Sequence, residues 1–302
     1  MRILMTNIDL TEIGGTQIWV ETMARQLKNE GHDIDIFSPR IGAFARDRLS
    51  EFNVMPKPIT GKEYDLCLVN HNICLTILQY AKIGGPKVYT CHGPSHKLEA
   101  IIPGADHYVA VSEEIAEKYA WVSPDVILNP VDMDRFKSFS AQSKFPPRVL
   151  ICTKNAGAMR MSRAACELAG MEYGVAHYQE HPVYDIHELI PKFDIVITSG
   201  RGVYETLSCN RSALIVARRL TDFEGWEVQA DGWVTEQNVA DLSRRNCSGR
   251  TNVYDWTAED IAQALKEWKG PEPWGREWVG KYHDVKRIVF RYLEKVNVEA
   301  VA

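Results

Sequence analysis

The chain opens on a short apolar run, Ile3-Leu4-Met5, that stops at Asn7 and Asp9, the pattern of a parallel strand buried on both faces. Gly14-Gly15 follows, and apolar residues at 18, 20, 23, 24 and 27 then repeat at helical spacing. Gly31-His32 ends that helix, and residues 33–37 alternate like a strand. The same alternation predicts strands over 65–69, 87–91 and 107–111, a helix over 76–82, and a helix from Ser112 as N-cap to about Tyr119. Strands separated by helices of this length imply a parallel sheet covered on both faces.

Between Phe136 and Pro147 the pattern lapses into Ser, Lys, Gln and a Pro-Pro pair, which reads as a linker. A second β/α run starts at Arg148-Val149-Leu150-Ile151-Cys152. Its clearest unit is a strand over 194–197, the loop Thr198-Ser199-Gly200-Arg201-Gly202, a helix near 204–209 and a strand over 213–216. The predicted fold is α/β, two Rossmann-like domains facing a central cleft. Their bounds are residues 1–140 and 147–270, with 271–302 a C-terminal segment.

Composition narrows the function. At 302 residues the chain exceeds the usual size of one core. A net charge of −5 gives no global attraction to nucleic acid or an anionic membrane. Without a long apolar run or signal-peptide pattern, a cytoplasmic protein is expected. The seven cysteines form no CxxC pair and read as small buried residues; no metal-ligand spacing exists, and no metal or cofactor is expected. Basic residues among apolar ones over 276–295 read as a solvated helix face or as a peripheral contact with a membrane or phosphate.

In a parallel α/β sheet, ligands bind beyond the carboxyl ends of the strands. There Gly14 and Gly15 form either an ordinary turn or a close approach to phosphate or sugar oxygens. Ser199, Gly200, Arg201 and Gly202 combine amides, a helix start and a cation, as a diphosphate requires. Glu205 lies one turn on, as a ribose-hydroxyl acceptor or a surface carboxylate. Lys154 and Arg160 follow the first strand of the second half, as diphosphate ligands or as exposed solubility residues. His92 directly follows a strand and precedes Gly93-Pro94, so it is expected to act in the chemistry and not to hold the fold; His71 has a similar placement.

Together these residues resemble the retaining, group-1/family-4-like glycosyltransferases of GT-B fold. The resemblance is carried by Gly14-Gly15-Thr16-Gln17 and its helix, Gly31 to Ile34, His92-Gly93, Ala105 to Ser112, Val126 to Asp132 and Arg135-Phe136, and more weakly by 194–216. It implies transfer of a sugar from a nucleotide-diphosphate sugar, UDP- or GDP-linked, with residues 1–140 on the acceptor side, 147–270 on the donor side, and within 271–302 a final helix from Trp274 to Val296 that crosses back to the first domain. Gly14, Gly15, Lys154, Arg160, Gly202 and Glu205 would contact the donor, Thr16, Gln17, His71 and Asn129 the acceptor or sugar, and His92 and Asp9 would serve catalysis. Of the two glutamates such enzymes carry eight positions apart, Glu205 fits the second and Ile197 stands where the first would fall. The acceptor stays open: lipid carrier, glycan, small molecule or modified DNA base. The alternatives are a sugar-nucleotide epimerase of the same fold and a non-catalytic sugar-nucleotide-binding protein.

Overall fold

The computed structural model describes residues 1–138, 146–176, 183–220, 226–251, 255–271 and 273–297. The chain forms two compact units, Met1–Pro130 joined by the segment from His283 onward, and Val131–Tyr282. Most of the expected linker, residues 139–145, lies outside the described residues. Before it, Val131 and Phe136 are already buried in the second unit's core.

In the first unit the strands are β1 (Arg2–Thr6), β2 (Asp33–Phe37), β3 (Asn53–Met55), β4 (Leu66–Asn70), β5 (Lys87–Cys91), β6 (His107–Ala110) and β7 (Asp125–Val126). They form one parallel sheet in the order β3-β2-β1-β4-β5-β6-β7. The helices are α1 (Gly15–Asn29), α2 (Ala43–Arg48), α3 (Asn72–Tyr80) and α4 (Glu113–Lys118). Every residue of β4 is buried, because a central parallel strand has a covered face on each side. Ser112 holds the N-cap position of α4 with extended backbone, but its hydroxyl makes no capping bond.

The second unit holds β8 (Val149–Cys152), β9 (Tyr173–Ala176), β10 (Ile195–Thr198), β11 (Ser212–Leu220) and β12 (Trp226–Trp233), in the order β12-β11-β10-β8-β9. All pair in parallel except β12, which runs antiparallel to β11 with an irregularity at Ile215/Val216. Its helices are α5 (Ala156–Ala169), α6 (Ile186–Leu189), α7 (Arg201–Ser208), α8 (Val239–Arg244), α9 (Ala258–Lys266) and α10 (Trp274–Tyr282). Trp278 of α10 stacks on Tyr204 of α7 at 6.1 Å between ring centroids.

The single C-terminal helix expected from 274 to 296 is two helices, α10 and α11 (Val285–Asn297), broken at His283-Asp284. Asp284 Oδ1 accepts the Lys286 amide, and buried His283 Nδ1 bonds the Asn129 carbonyl at 2.8 Å, so the chain re-enters the first unit there. α11 then buries Val285, Ile288, Val289 and Tyr292, with the Tyr292 hydroxyl 3.0 Å from Thr90 Oγ1. Its outward face carries Lys286, Arg287, Phe290 and Arg291, while Lys295 pairs with Asp125. Among the described residues no helix is long and apolar enough to cross a membrane. Six of the seven cysteines are buried, and burial pushes thiols such as Cys67 and Cys74 up to about 12.

Tyr292→Ala should cost the first unit about 3 to 5 kcal/mol by urea denaturation, as loss of a buried aromatic does. Tyr292→Phe, which removes only the Thr90 hydrogen bond, should cost about 1 kcal/mol.

Candidate functional site

Each sheet has a point where strand order reverses, and there the connections leave to opposite sides, opening a crevice at the strand ends. In the first unit it lies between β1 and β4, and in the second between β8 and β10. The candidate site residues sort onto the loops at these two points and onto the loop after β5.

In the first unit, β1 and β4 pair Met5 with Leu68, and β4 and β5 pair Asn70 with Thr90. Side chains alternate along strands, so Asn7, Asn70 and His92 follow on one sheet face as a polar row at the carboxyl rim. The His92 ring Nε2 stands 2.8 Å from Asn70 Oδ1, and Trp19 of α1 meets the same ring edge-on at 5.4 Å. Asn7 and Asn70 are wholly buried, and their side-chain nitrogens have no hydrogen-bond partner. His92 is therefore a packed group, and removing its ring would leave Asn70 Oδ1 unmatched as well as removing any chemistry.

The β1–α1 loop is shaped from within. Asp9 Oδ1 accepts the amide and hydroxyl of Thr11, Asp9 Oδ2 pairs with Arg40 at 3.0 Å, and Gln17 Nε2 donates to the Asp9 carbonyl. Thr16 Oγ1 lies 3.2 Å from Gln17 Oε1. Gly14 is buried and extended at the N-cap of α1, while Gly15 is exposed with open space where a Cβ would stand. Asn129 is nearly buried, with its carbonyl on His283.

His71 has a backbone φ of 70°, sparsely allowed for a side-chain-bearing residue and costing of order 1 to 3 kcal/mol. What holds it there is its ring: Nδ1 accepts the Ile8 amide at 3.3 Å and Nε2 faces Glu99 Oε1 at 3.4 Å. Glu99, at the end of a short 3₁₀ turn (Lys97–Glu99), is 7% exposed, and its Oε2 accepts the His92 amide at 2.8 Å. Burial alone would raise this carboxyl's pKa. The hydrogen bond from His71, the proximity of His92 and the His92 amide outweigh burial and hold it below the ordinary glutamate value.

In the second unit the loop after β8 presents Lys154, and Asn155 caps α5 by accepting the Ala158 amide at 2.9 Å. Lys154 and, one turn into α5, Arg160 are exposed. β8 pairs Ile151 with Ile197 of β10, so this loop and Ser199-Gly200 leave adjacent strands. Gly200 has φ 61° and ψ −132°, a conformation essentially closed to other residues, and a Cβ on Gly202 would collide with Thr198 Oγ1. The Gly200 amide, expected to face a phosphate, donates instead to the Cys247 carbonyl at 2.8 Å. Arg201 and Glu205 bind each other: Nε to Oε1 is 2.6 Å, with both side chains about nine-tenths buried.

Among the described residues no group of three His, Cys, Asp or Glu side chains could hold a metal ion. A hollow of about 500 Å³ lined by Trp233, Trp268, Trp274 and Arg211 lies at the other end of the second sheet, beside Ser212, the first residue of β11.

Comparison with known proteins identifies the fold. Residues 13–135 match the model of Glycosyltransferase Family 4. The glycosyltransferase AviGT4 of avilamycin A biosynthesis is 13% identical with a TM-score of 0.62, covering 98% of this chain and 97% of its own. A glycosyltransferase from Rickettsia africae gives the same figures. An α-glucosyltransferase bound to UDP and a 13-mer DNA is 11% identical with a TM-score of 0.57, over 98% and 99%. The fold is that of the GT-B glycosyltransferases. No curated protein matches. Within this GT-B chain, Glu99, Asn70, Asn7 and Trp19 escaped the sequence reading. Only the position of Asn7 just after one buried strand and of Asn70 at the end of another could have flagged two of them.

Two outcomes test this arrangement. Glu205→Ala should destabilise the second unit by roughly 3 kcal/mol, since it removes the carboxylate paired with the buried Arg201; a double-mutant cycle with Arg201→Met should show strong coupling. For Glu99 the folded pKa lies below the unfolded one, so its stabilisation is complete above about pH 4.5 and is lost as the pH falls through the folded value. The stability advantage of wild type over Glu99→Gln, measured by denaturation against pH, should shrink on acidification below pH 4.5.

Proposed function

We propose that the chain transfers a sugar from a nucleotide-diphosphate sugar to an acceptor hydroxyl or amine, with the second unit holding the diphosphate. The observation that carries this reading is the coincidence of the β8/β10 reversal with two adjacent loops, one bearing Lys154, the other a glycine-built turn into the N-terminus of α7. Helix amides and cations there would stabilise the charge that grows on the leaving diphosphate as the anomeric C–O bond breaks. The new bond forms to the acceptor oxygen or nitrogen, whose proton must be taken up. In the first unit His92, fixed by Asn70 and Trp19, is the group proposed to exchange that proton or to seat the sugar. UDP is the first donor base to try, because the solved α-glucosyltransferase of this fold binds it.

A second reading has one specific support. A protein from Listeria monocytogenes assigned as a UDP-N-acetylglucosamine 2-epimerase shares the fold at 11% identity and a TM-score of 0.56, covering 97% of this chain and 94% of its own. Incubation with a UDP-sugar and no acceptor separates the two: an epimer in the product supports this second activity.

Calorimetric titration with UDP and GDP tests the donor site. Lys154→Ala and Arg160→Ala should each weaken binding by about 1.5 to 3 kcal/mol, the worth of a charge-assisted contact. Unchanged affinity in both would remove the second unit's loops from the donor site. His92→Ala should leave nucleotide affinity intact and lower turnover roughly 100-fold.

A further inference from the structure

Two loops of the first unit, those after β4 and β5, meet at one carboxylate that no motif in the sequence singles out. Glu99 Oε1 takes the His71 ring from the loop after β4, and Oε2 takes the His92 amide from the loop after β5. The Glu99 carbonyl accepts the Cys91 thiol at 3.0 Å, and Asn72 Nδ2 ties the same turn to the start of α3 through the Lys97 and Ala100 carbonyls. Through His71 Nδ1 the chain of bonds reaches the Ile8 amide, so the loop after β1 is joined as well.

This arrangement is more than a loop tether. An ionised carboxylate in a buried place carries a large desolvation penalty unless its hydrogen bonds compensate it, and a neutral side chain could bridge two loops without that penalty. Here the charge sits against the His71 ring and the His92 backbone amide. The other titratable groups that feel it, Tyr89, Cys91 and Tyr119, are pushed up by burial first and by Glu99 in addition, so they stay neutral. Lys118, whose Nζ donates to the Pro94 carbonyl, acts on Cys91 in the opposite sense.

We propose that Glu99 is the positioning residue of the first-unit site: its carboxylate fixes the His92 backbone and the His71 ring and so sets where the His92 imidazole stands. Asn70 completes the placement by holding Nε2 of that imidazole, and Trp19 closes its edge. Glu99 acts through His92 and touches no substrate in this assignment, which rests on the role given to His92 above.

The test is an NMR comparison, at fixed pH, of the imidazole ring signals in the full chain, with His71 and His92 assigned through His71→Gln and His92→Gln. The isosteric Glu99→Gln should fold, displace the ring signals of both His71 and His92, and cut kcat about ten-fold while UDP affinity is unchanged. Glu99→Asp keeps the charge but shortens the reach, so the ring signals should stay displaced and kcat reduced. Unmoved ring signals in folded Glu99→Gln, or an unchanged kcat, would overturn the proposal. Should Glu99→Gln fail to fold, Glu99→Asp decides by its kcat, and a wild-type value there rejects the role. If the wild-type chain transfers no sugar to any acceptor, the ring signals still decide whether Glu99 places the two imidazoles, and the transfer reading alone falls.

Discussion

The geometry of both candidate sites follows from parallel pairing at two places, β1 on β4 and β8 on β10. Parallel strands need crossovers, and where successive crossovers leave to opposite sides the ends of two paired strands are left uncovered. The residues that fall there lie at the strand ends or within two positions of them: Asn7 and Asn70, the last residue of β4, in the first unit, Lys154 and Ser199 in the second. A polar residue further in, among the apolar positions 66–69 of β4 or 195–197 of β10, would find its hydrogen-bonding capacity unmet. The register of the sheets thus decides which side chains can be chemical and which must be packing.

Each unit buries one carboxylate near its site, and the two are compensated in different ways. Glu205 faces a guanidinium one helical turn away, a local pair that α7 brings together by its own repeat. Glu99 is matched by the His71 ring from the loop after β4 and by the His92 amide of its own loop after β5, so its compensation is complete only once β4 and β5 are side by side. Loss of one partner has correspondingly different reach: in α7 it leaves a misplaced charge on one helix, whereas at Glu99 it releases the loops after β4 and β5 together.

This difference also explains what the sequence could and could not reveal. The strands β1, β2, β4, β5, β6, β8, β10 and the start of β11 were legible because burial on both faces demands continuous or alternating apolar residues. β9, half-exposed along most of its length, and the antiparallel edge strand β12 carry no such demand and passed unread. Residues 274–296 read as one helix because their apolar spacing continues across His283-Asp284; the break depends on a bond to Asn129, distant in sequence, and on Asp284 accepting the amide of Lys286. In the site, the glycines of the loop after β10 were visible since backbone conformation and close packing leave no other residue possible. Glu99 was invisible because nothing local distinguishes it from a surface glutamate.

The departure from the family pattern at Ile197 now has a physical setting. Ile197 lies in the middle of β10, fully buried and paired with Ile151, so no carboxylate is available at that place. The remaining acid, Glu205, is neutralised by Arg201. Charges on the loops after β8 and β10 are then governed by Lys154 and Arg160, both exposed to solvent. The exposed charges named at this strand end are therefore cations, which suits the multiply charged anion proposed to bind there.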